Sequence, residues 1–255
     1  MFNAKELDEE TGLYYYGARY LDPRVSQFLS ADRFAEKYPF SSAYSYCLGN
    51  PVKFIDFHGD SIFVNKIGTI LRNDKTDNLV YMSKDGKNIF LGELGGKINI
   101  DEIYTNLLDE DSKDAKSIWS PFRFREKVKT DGVWDLKNDK NTIYGLGNDG
   151  KTTFSFQGKN MESQDIGNHH FGVVAKAYNF FDEETILRQA GKYQIESGTS
   201  KPEWQIYKEE SHTLVSPTGG IIFTKINVMQ PPYGDDPRDQ MWIKSGFDYY
   251  KEKKK

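Results

Sequence analysis

The sequence predicts an α+β protein: a short β-rich opening and a β-meander, then a compact mixed domain with several helices and hairpins. Three observations carry this reading. Short apolar runs alternate with turn residues between positions 61 and 100. Ile186, Leu187, Ala190 and Gln194 recur at helical spacing behind Asp182-Glu183-Glu184-Thr185. The stretch from Asp236 to Tyr250 opens with Asp-Pro, the chemistry of a helix start.

Taken in order, residues 1–60 are crowded with tyrosine and punctuated by turns at Asp22-Pro23 and Asn50-Pro51. Strands here would expose aromatics unless they pack on something or stay poorly anchored. The runs Ser61–Val64, Gly68–Leu71, Asn78–Met82 and Asn88–Leu91 predict a small antiparallel meander with turns at Asn73–Lys75 and Lys84–Lys87. A helix is expected to begin at Ile100–Ile103 with Asp101 as its cap. Residues 109–117 (DEDSKDAKS) read as a solvated charged stretch. A short helix follows around Phe122–Val128, then a turn at Thr130–Gly132 and a hairpin within 141–158. Gly167-Asn168 reads as a loop that runs into an apolar helix. A further hairpin is expected around Pro217–Gly220. This gives three segments: 1–60, 61–110 and 111–255.

Composition bounds the function. The 255 residues are 28 % charged and 37 % apolar, with mean hydropathy −0.70. No run of about 18 apolar residues occurs, so no stable membrane insertion is expected. Met1–Glu6 has no signal-peptide pattern. The single cysteine, Cys47, rules out an internal disulfide and Cys-rich zinc sites and reads as a packed thiol. A net charge of −4 gives no global attraction to nucleic acid, and residues 161–255 hold 12 Lys/Arg against 14 Asp/Glu.

Residues 6–60 include ETGLYYYGARYLDP, RVSQFLSADRF and NPVKFID. They resemble the RHS repeat-associated core, which in that family closes a large shell ahead of a variable toxin tip. Its usual ending is replaced here by Asp56-Phe57-His58-Gly59, so the resemblance does not extend to boundary cleavage. Further on stand Trp134-Asp135-Leu136-Lys137, Gly167-Asn168-His169-His170-Phe171-Gly172, Leu187-Arg188-Gln189-Ala190-Gly191 and Tyr233–Gly246. In order and spacing these resemble the type 44 bacterial polymorphic-toxin domain over about 120–250, with Leu136 where tyrosine is common. The resemblance implies a ribonuclease-like toxin, a cognate immunity protein as partner, and delivery by a secretion apparatus into a competing cell's cytoplasm.

RNA cleavage needs a base for the 2′-OH, an acid for the leaving oxygen and a cation for the phosphorane, and histidine suits the first two roles. His169 and His170 are the candidates. As neighbours they point opposite ways on a strand and about 100° apart on a helix; the bland alternative is a buried histidine bonded to backbone. Asp235, Asp236 and Asp239 form a carboxylate cluster that caps a helix in the plain reading. In the functional one it orients a His, works as acid and base, or holds a divalent metal, so the cofactor is either none or such an ion. Asp135 and Lys137 would share one face of a strand, as in D-x-K nucleases, or make a surface ion pair. Arg188, Asn168, Tyr233 and Trp134 are candidates for holding substrate; Trp204 and Trp242 join Trp134 as possible stacking platforms or core residues. Two other classes stay open. Paired carboxylates suit a cell-envelope glycoside hydrolase, and a non-enzymatic binding module would make all of these residues structural.

Overall fold

The computed structural model describes residues 5–16, 19–31, 42–46, 61–73, 78–215 and 221–254. Cys47, the Asn50-Pro51 turn, Asp56–Gly59, most of the Asn73–Lys75 turn and the Pro217–Gly220 turn lie outside them. The chain forms two compact units: Met1–Leu107 with Leu136–Ser163, and Leu108–Asp135 with Gln164–Lys255. The fold is α+β.

The first unit opens with a four-stranded antiparallel sheet, β1 (Glu6–Asp8), β2 (Leu13–Tyr15), β3 (Tyr20–Asp22) and β4 (Gln27–Phe28), in sequence order. This segment carries a core of its own. Tyr16, Leu21, Phe28 and Tyr46 are buried together, their three rings meet edge to face, and the Tyr16 and Tyr46 hydroxyls lie 3.0 Å apart.

Seven strands make the larger sheet: β5 (Ile62–Val64), β6 (Ile70–Asn73), β7 (Leu79–Lys84), β8 (Lys87–Glu93), β9 (Lys97–Asn99), β10 (Thr153–Phe156) and β11 (Lys159–Met161). The order β11-β10-β9-β8-β7-β5-β6 corrects the expected meander. β5 pairs parallel with β7, and β10 pairs parallel with β9 from more than fifty positions along the chain. The turns are locally determined. Asp85-Gly86 joins β7 to β8 and Gln157-Gly158 joins β10 to β11, and all four residues have positive φ, as a two-residue hairpin turn requires.

α1 (Asp101–Ser117) starts where expected, but Asp101 is its first residue rather than its cap; the Asn99 side chain accepts the Asp101 N–H. It does not stop at residue 109. Ile103, Tyr104, Leu107, Leu108 and Ala115 form one buried stripe, and that periodicity carries the helix through the charged residues to Ser117. In the first unit the short α3 (Ile143–Leu146), capped by Thr142, precedes β10.

The second unit is built on α2 (Pro121–Val128), α4 (Ser163–Tyr178), α5 (Glu183–Glu196) and α6 (Pro237–Lys253), with a long ribbon of β12 (Tyr207–Val215) and β13 (Ile221–Met229). Gly167-Asn168 is not a loop but lies inside α4, where the buried stripe Ile166, Val173, Val174 and Ala177 outweighs the weak helix propensity of Gly and Asn. Asp182 and Asp236 cap α5 and α6 as expected, accepting the N–H groups of Thr185 and Arg238. α4 and α6 cross with their backbones in contact. A Cβ on Gly172 would meet the Ile243 carbonyl oxygen at 2.1 Å. Among the described residues no helix is long and apolar enough to cross a membrane.

Candidate active site

The two histidines follow from their place on α4. About 100° apart, they face different neighbours. His169 is buried edge-on against Tyr249 (5.5 Å between ring centres) and Trp242 (6.4 Å) of α6. His170 faces α1, where its Nε2 lies 2.8 Å from Oδ2 of Asp111. That geometry puts the Nε2 proton toward the carboxylate and leaves the Nδ1 lone pair as the basic position of the neutral ring. Nδ1 is buried and has no hydrogen-bond partner.

The surroundings of this pair are aromatic and cationic. Trp134 stands edge-on to His170 at 6.1 Å, and Phe124 of α2 packs edge-on against Trp134 at 5.9 Å. Lys127 sits over the Trp134 ring at 4.9 Å and reaches Asp114, one turn along α1 from Asp111, at 2.7 Å. The His170 side chain is 1 % exposed and Asp111 17 %. Asp111 was missed by sequence reasoning, which had assigned residues 109–117 to solvent. Its signal was present, since Ile103, Leu107, Asp111 and Ala115 fall every four residues and a carboxylate in that stripe needs a partner.

The acidic head of α6 is occupied by structure. Asp236 is the cap. Asp239 accepts both Oδ contacts from Gln164 Nε2, at 2.9 and 3.1 Å. Arg238 grips Asp165 through Nε and Nη2 at 2.9 and 2.7 Å, and Asp165 is fully buried. The first turns of α4 and α6 are thereby laced together. Asp235 is also buried. Its carboxylate accepts from the Asp236 N–H and from Gln240 Nε2, and burial pushes its pKa up to about 6. Gln240 Oε1 is buried without a partner. Among the described residues no three His, Cys, Asp or Glu side chains are grouped to hold a metal ion, so the Asp235, Asp236 and Asp239 trio is not assembled as one.

Residues 123–252, just over half the chain, match the family model described as bacterial toxin 44. The chain belongs to the bacterial toxin 44 family. A stretch of 58 residues is 40 % identical to salivary gland surface protein 1 of Aedes aegypti, covering 23 % of this chain but 2 % of that protein. No solved structure matches.

Within the toxin domain several motif residues turn out to be contacts between motifs. A Cβ on Gly246 would meet the His169 carbonyl oxygen at 2.2 Å, and one on Gly191 would meet the Tyr233 carbonyl oxygen at 2.0 Å. Arg188 binds Glu184 through Nε and Nη2, donates Nη1 to the Met229 carbonyl and lies over the Tyr233 ring at 4.4 Å, which ties α5 to the chain ahead of α6. Tyr233 is buried, and burial raises its phenol pKa. Asn168 is half-buried, its Nδ2 without a partner. Asp135 and Lys137 lie on turns rather than a strand, and they belong to different compact units. Asp135 closes its turn by accepting the Asp131 N–H; the side chain of Lys137 is exposed. The shared face expected of D-x-K is not formed.

Proposed function

We propose that this toxin domain cleaves RNA, with His170 as general base and Asp111 as the residue that fixes its tautomer. One observation carries the reading: a buried imidazole whose Nε2 is held by a carboxylate at 2.8 Å while Nδ1 has no partner. Asp111 accepts a hydrogen bond from Nε2–H and steadies the imidazolium that forms when Nδ1 takes the 2′-OH proton. The 2′-oxygen then attacks phosphorus and the P–O5′ bond breaks, with the proton returned to the 5′-oxygen. Lys127, over the Trp134 ring and paired with Asp114, is a candidate for the phosphate charge. His170 is covered, so substrate reaches Nδ1 only after the side chains around it part.

The wider reading follows the same line. The resemblance of residues 6–60 to an RHS core makes this chain the tip of a shell-borne effector, exported by a secretion system. A toxin of this family implies a cognate immunity protein. A second reading, hydrolysis of cell-envelope glycan, is favoured by Asp235, which holds its proton to about pH 6 as a general acid must, with Asp239 on the same helix head.

Induced expression of the chain in bacteria, with total RNA, DNA and cell-wall integrity followed together, separates these readings. RNA loss ahead of growth arrest, abolished by His170→Gln, is the expected result. Intact RNA with lysis would move the assignment to the carboxylates of α6.

A further inference from the structure

We propose that the outer face of α2 is the docking surface for single-stranded RNA, with Trp119 and Phe122 stacking on bases and Arg123 and Arg125 holding phosphates. The inference rests on the ribonuclease reading and adds the residues that recognise the substrate.

α2 has two unlike faces. Its inner face is set by Phe124, which packs on Trp134 beside His170 and stacks on Tyr178 at 4.4 Å. Phe122 lies two residues away, on the opposite side of the helix, and is 81 % exposed. Trp119, just ahead of the helix, is 78 % exposed. Aromatic side chains this bare are costly to leave in water and mark a contact surface.

Charge selects the occupant. Residues 118–129 (IWSPFRFREKVK) carry four cations against one carboxylate, in a chain of net charge −4. Lys129 pairs with Glu126, and Lys127 with Asp114. Arg123 and Arg125 are exposed, and among the described residues neither guanidinium has a hydrogen-bond or ion-pair partner. They flank Phe122 on the helix surface. The helix start is also open: Ser120 gives no side-chain cap and Pro121 follows it, so the Phe122 and Arg123 N–H groups point outward with the positive end of the helix dipole. Free guanidinium groups, uncapped N–H donors and bare rings on one short helix fit alternating phosphates and unstacked bases. A duplex, whose bases are already stacked, would use only the charges.

The test is binding of a fluorescent 12-nucleotide RNA by the full chain carrying His170→Gln, which prevents cleavage during the measurement, with helicity checked by circular dichroism. Phe122→Ala and Trp119→Ala should each weaken binding roughly 5- to 150-fold. Arg123→Gln with Arg125→Gln should lower the slope of log affinity against log salt by about 1.4. Duplex RNA of the same sequence should bind more weakly and be indifferent to the aromatic changes. Unchanged RNA affinity in these variants overturns the proposal, including the case where they lose a protein partner instead. So does failure of the parent to bind RNA. Cleavage by the chain with native His170 is scored separately. RNA cut at the normal rate by the α2 variants leaves the His170 reading standing and removes only this surface.

Discussion

A β-carbon on Gly246 would stand 2.2 Å from the carbonyl oxygen of His169, closer than any atoms of that kind approach. The crossing of α4 and α6 is therefore set by backbone against backbone, and the histidine pair is positioned by a glycine on another helix. Gly246→Ala adds helix propensity worth about 1 kcal/mol but forces the helices apart. The overpacking penalty of roughly 1–3 kcal/mol is at the severe end here, because the obstacle is main chain rather than a rotatable side chain. We expect a net loss of about 2 kcal/mol, seen as a melting temperature lower by roughly 4–8 °C. A variant as stable as the parent would show that the crossing is loose.

Arg238 and Asp165 form the second tie between these helices. Asp165 is 1 % exposed, while half of the arginine reaches solvent. Removing the guanidinium leaves the carboxylate buried with its strongest donors gone. Arg238→Ala should cost about 2–3 kcal/mol, less than a wholly buried pair because water can enter where the arginine was. Asp165→Asn in the same background should restore part of that loss. A double variant no more stable than Arg238→Ala alone would argue against an electrostatic origin. Denaturant melts of the three proteins decide it.

Local rules made some of this legible in the sequence and tertiary partners hid the rest. The Asp182 and Asp236 caps, the Asp85-Gly86 turn and the extent of α2 are decided within four residues, and reading the chain found them. The β9–β10 pairing and the Asp111–His170 bond join residues more than fifty positions apart, where no local pattern speaks. Asp111 was obscured further by composition, because six charged or polar residues in a row looked like a linker. The apolar stripe beneath them determined the helix. The glycines of the toxin motifs were visible as letters, but their purpose needed the opposing carbonyls of His169, Ile243 and Tyr233.

Asp235 gives the domain a pH dependence. Its folded pKa of about 6 lies above the ordinary carboxyl value of 3.8, chiefly because burial penalises the charge. Its contribution is therefore favourable below about pH 4 and declines as pH rises through 6, since the unfolded chain releases the proton first. Asp235→Asn, which cannot ionise, removes that slope. The variant should match the parent near pH 4 and exceed it by roughly 2 kcal/mol above pH 7. Thermal melts of both proteins across pH 4–8 check this. A difference independent of pH would mean that Asp235 is ionised throughout.

His170→Gln tests the proposed base without emptying its site. Glutamine can still donate from its amide to Asp111, so the buried carboxylate keeps a partner, but no atom of the new side chain takes up a proton near neutral pH. Loss of a general base lowers turnover by about 10²- to 10⁴-fold. We expect a drop of that size on RNA with the melting temperature nearly unchanged. Asp111→Asn should give an intermediate loss, because the ring stays in place while its tautomer is no longer fixed. Asp111→Ala should in addition destabilise the fold by about 1–3 kcal/mol, leaving the Nε2 donor buried and unsatisfied. The diagnostic comparison is between the glutamine and alanine variants. If the 2.8 Å contact serves only to pack α1 on α4, stability will follow the hydrogen bond and His170→Gln will keep parental activity, which would remove His170 from the chemistry.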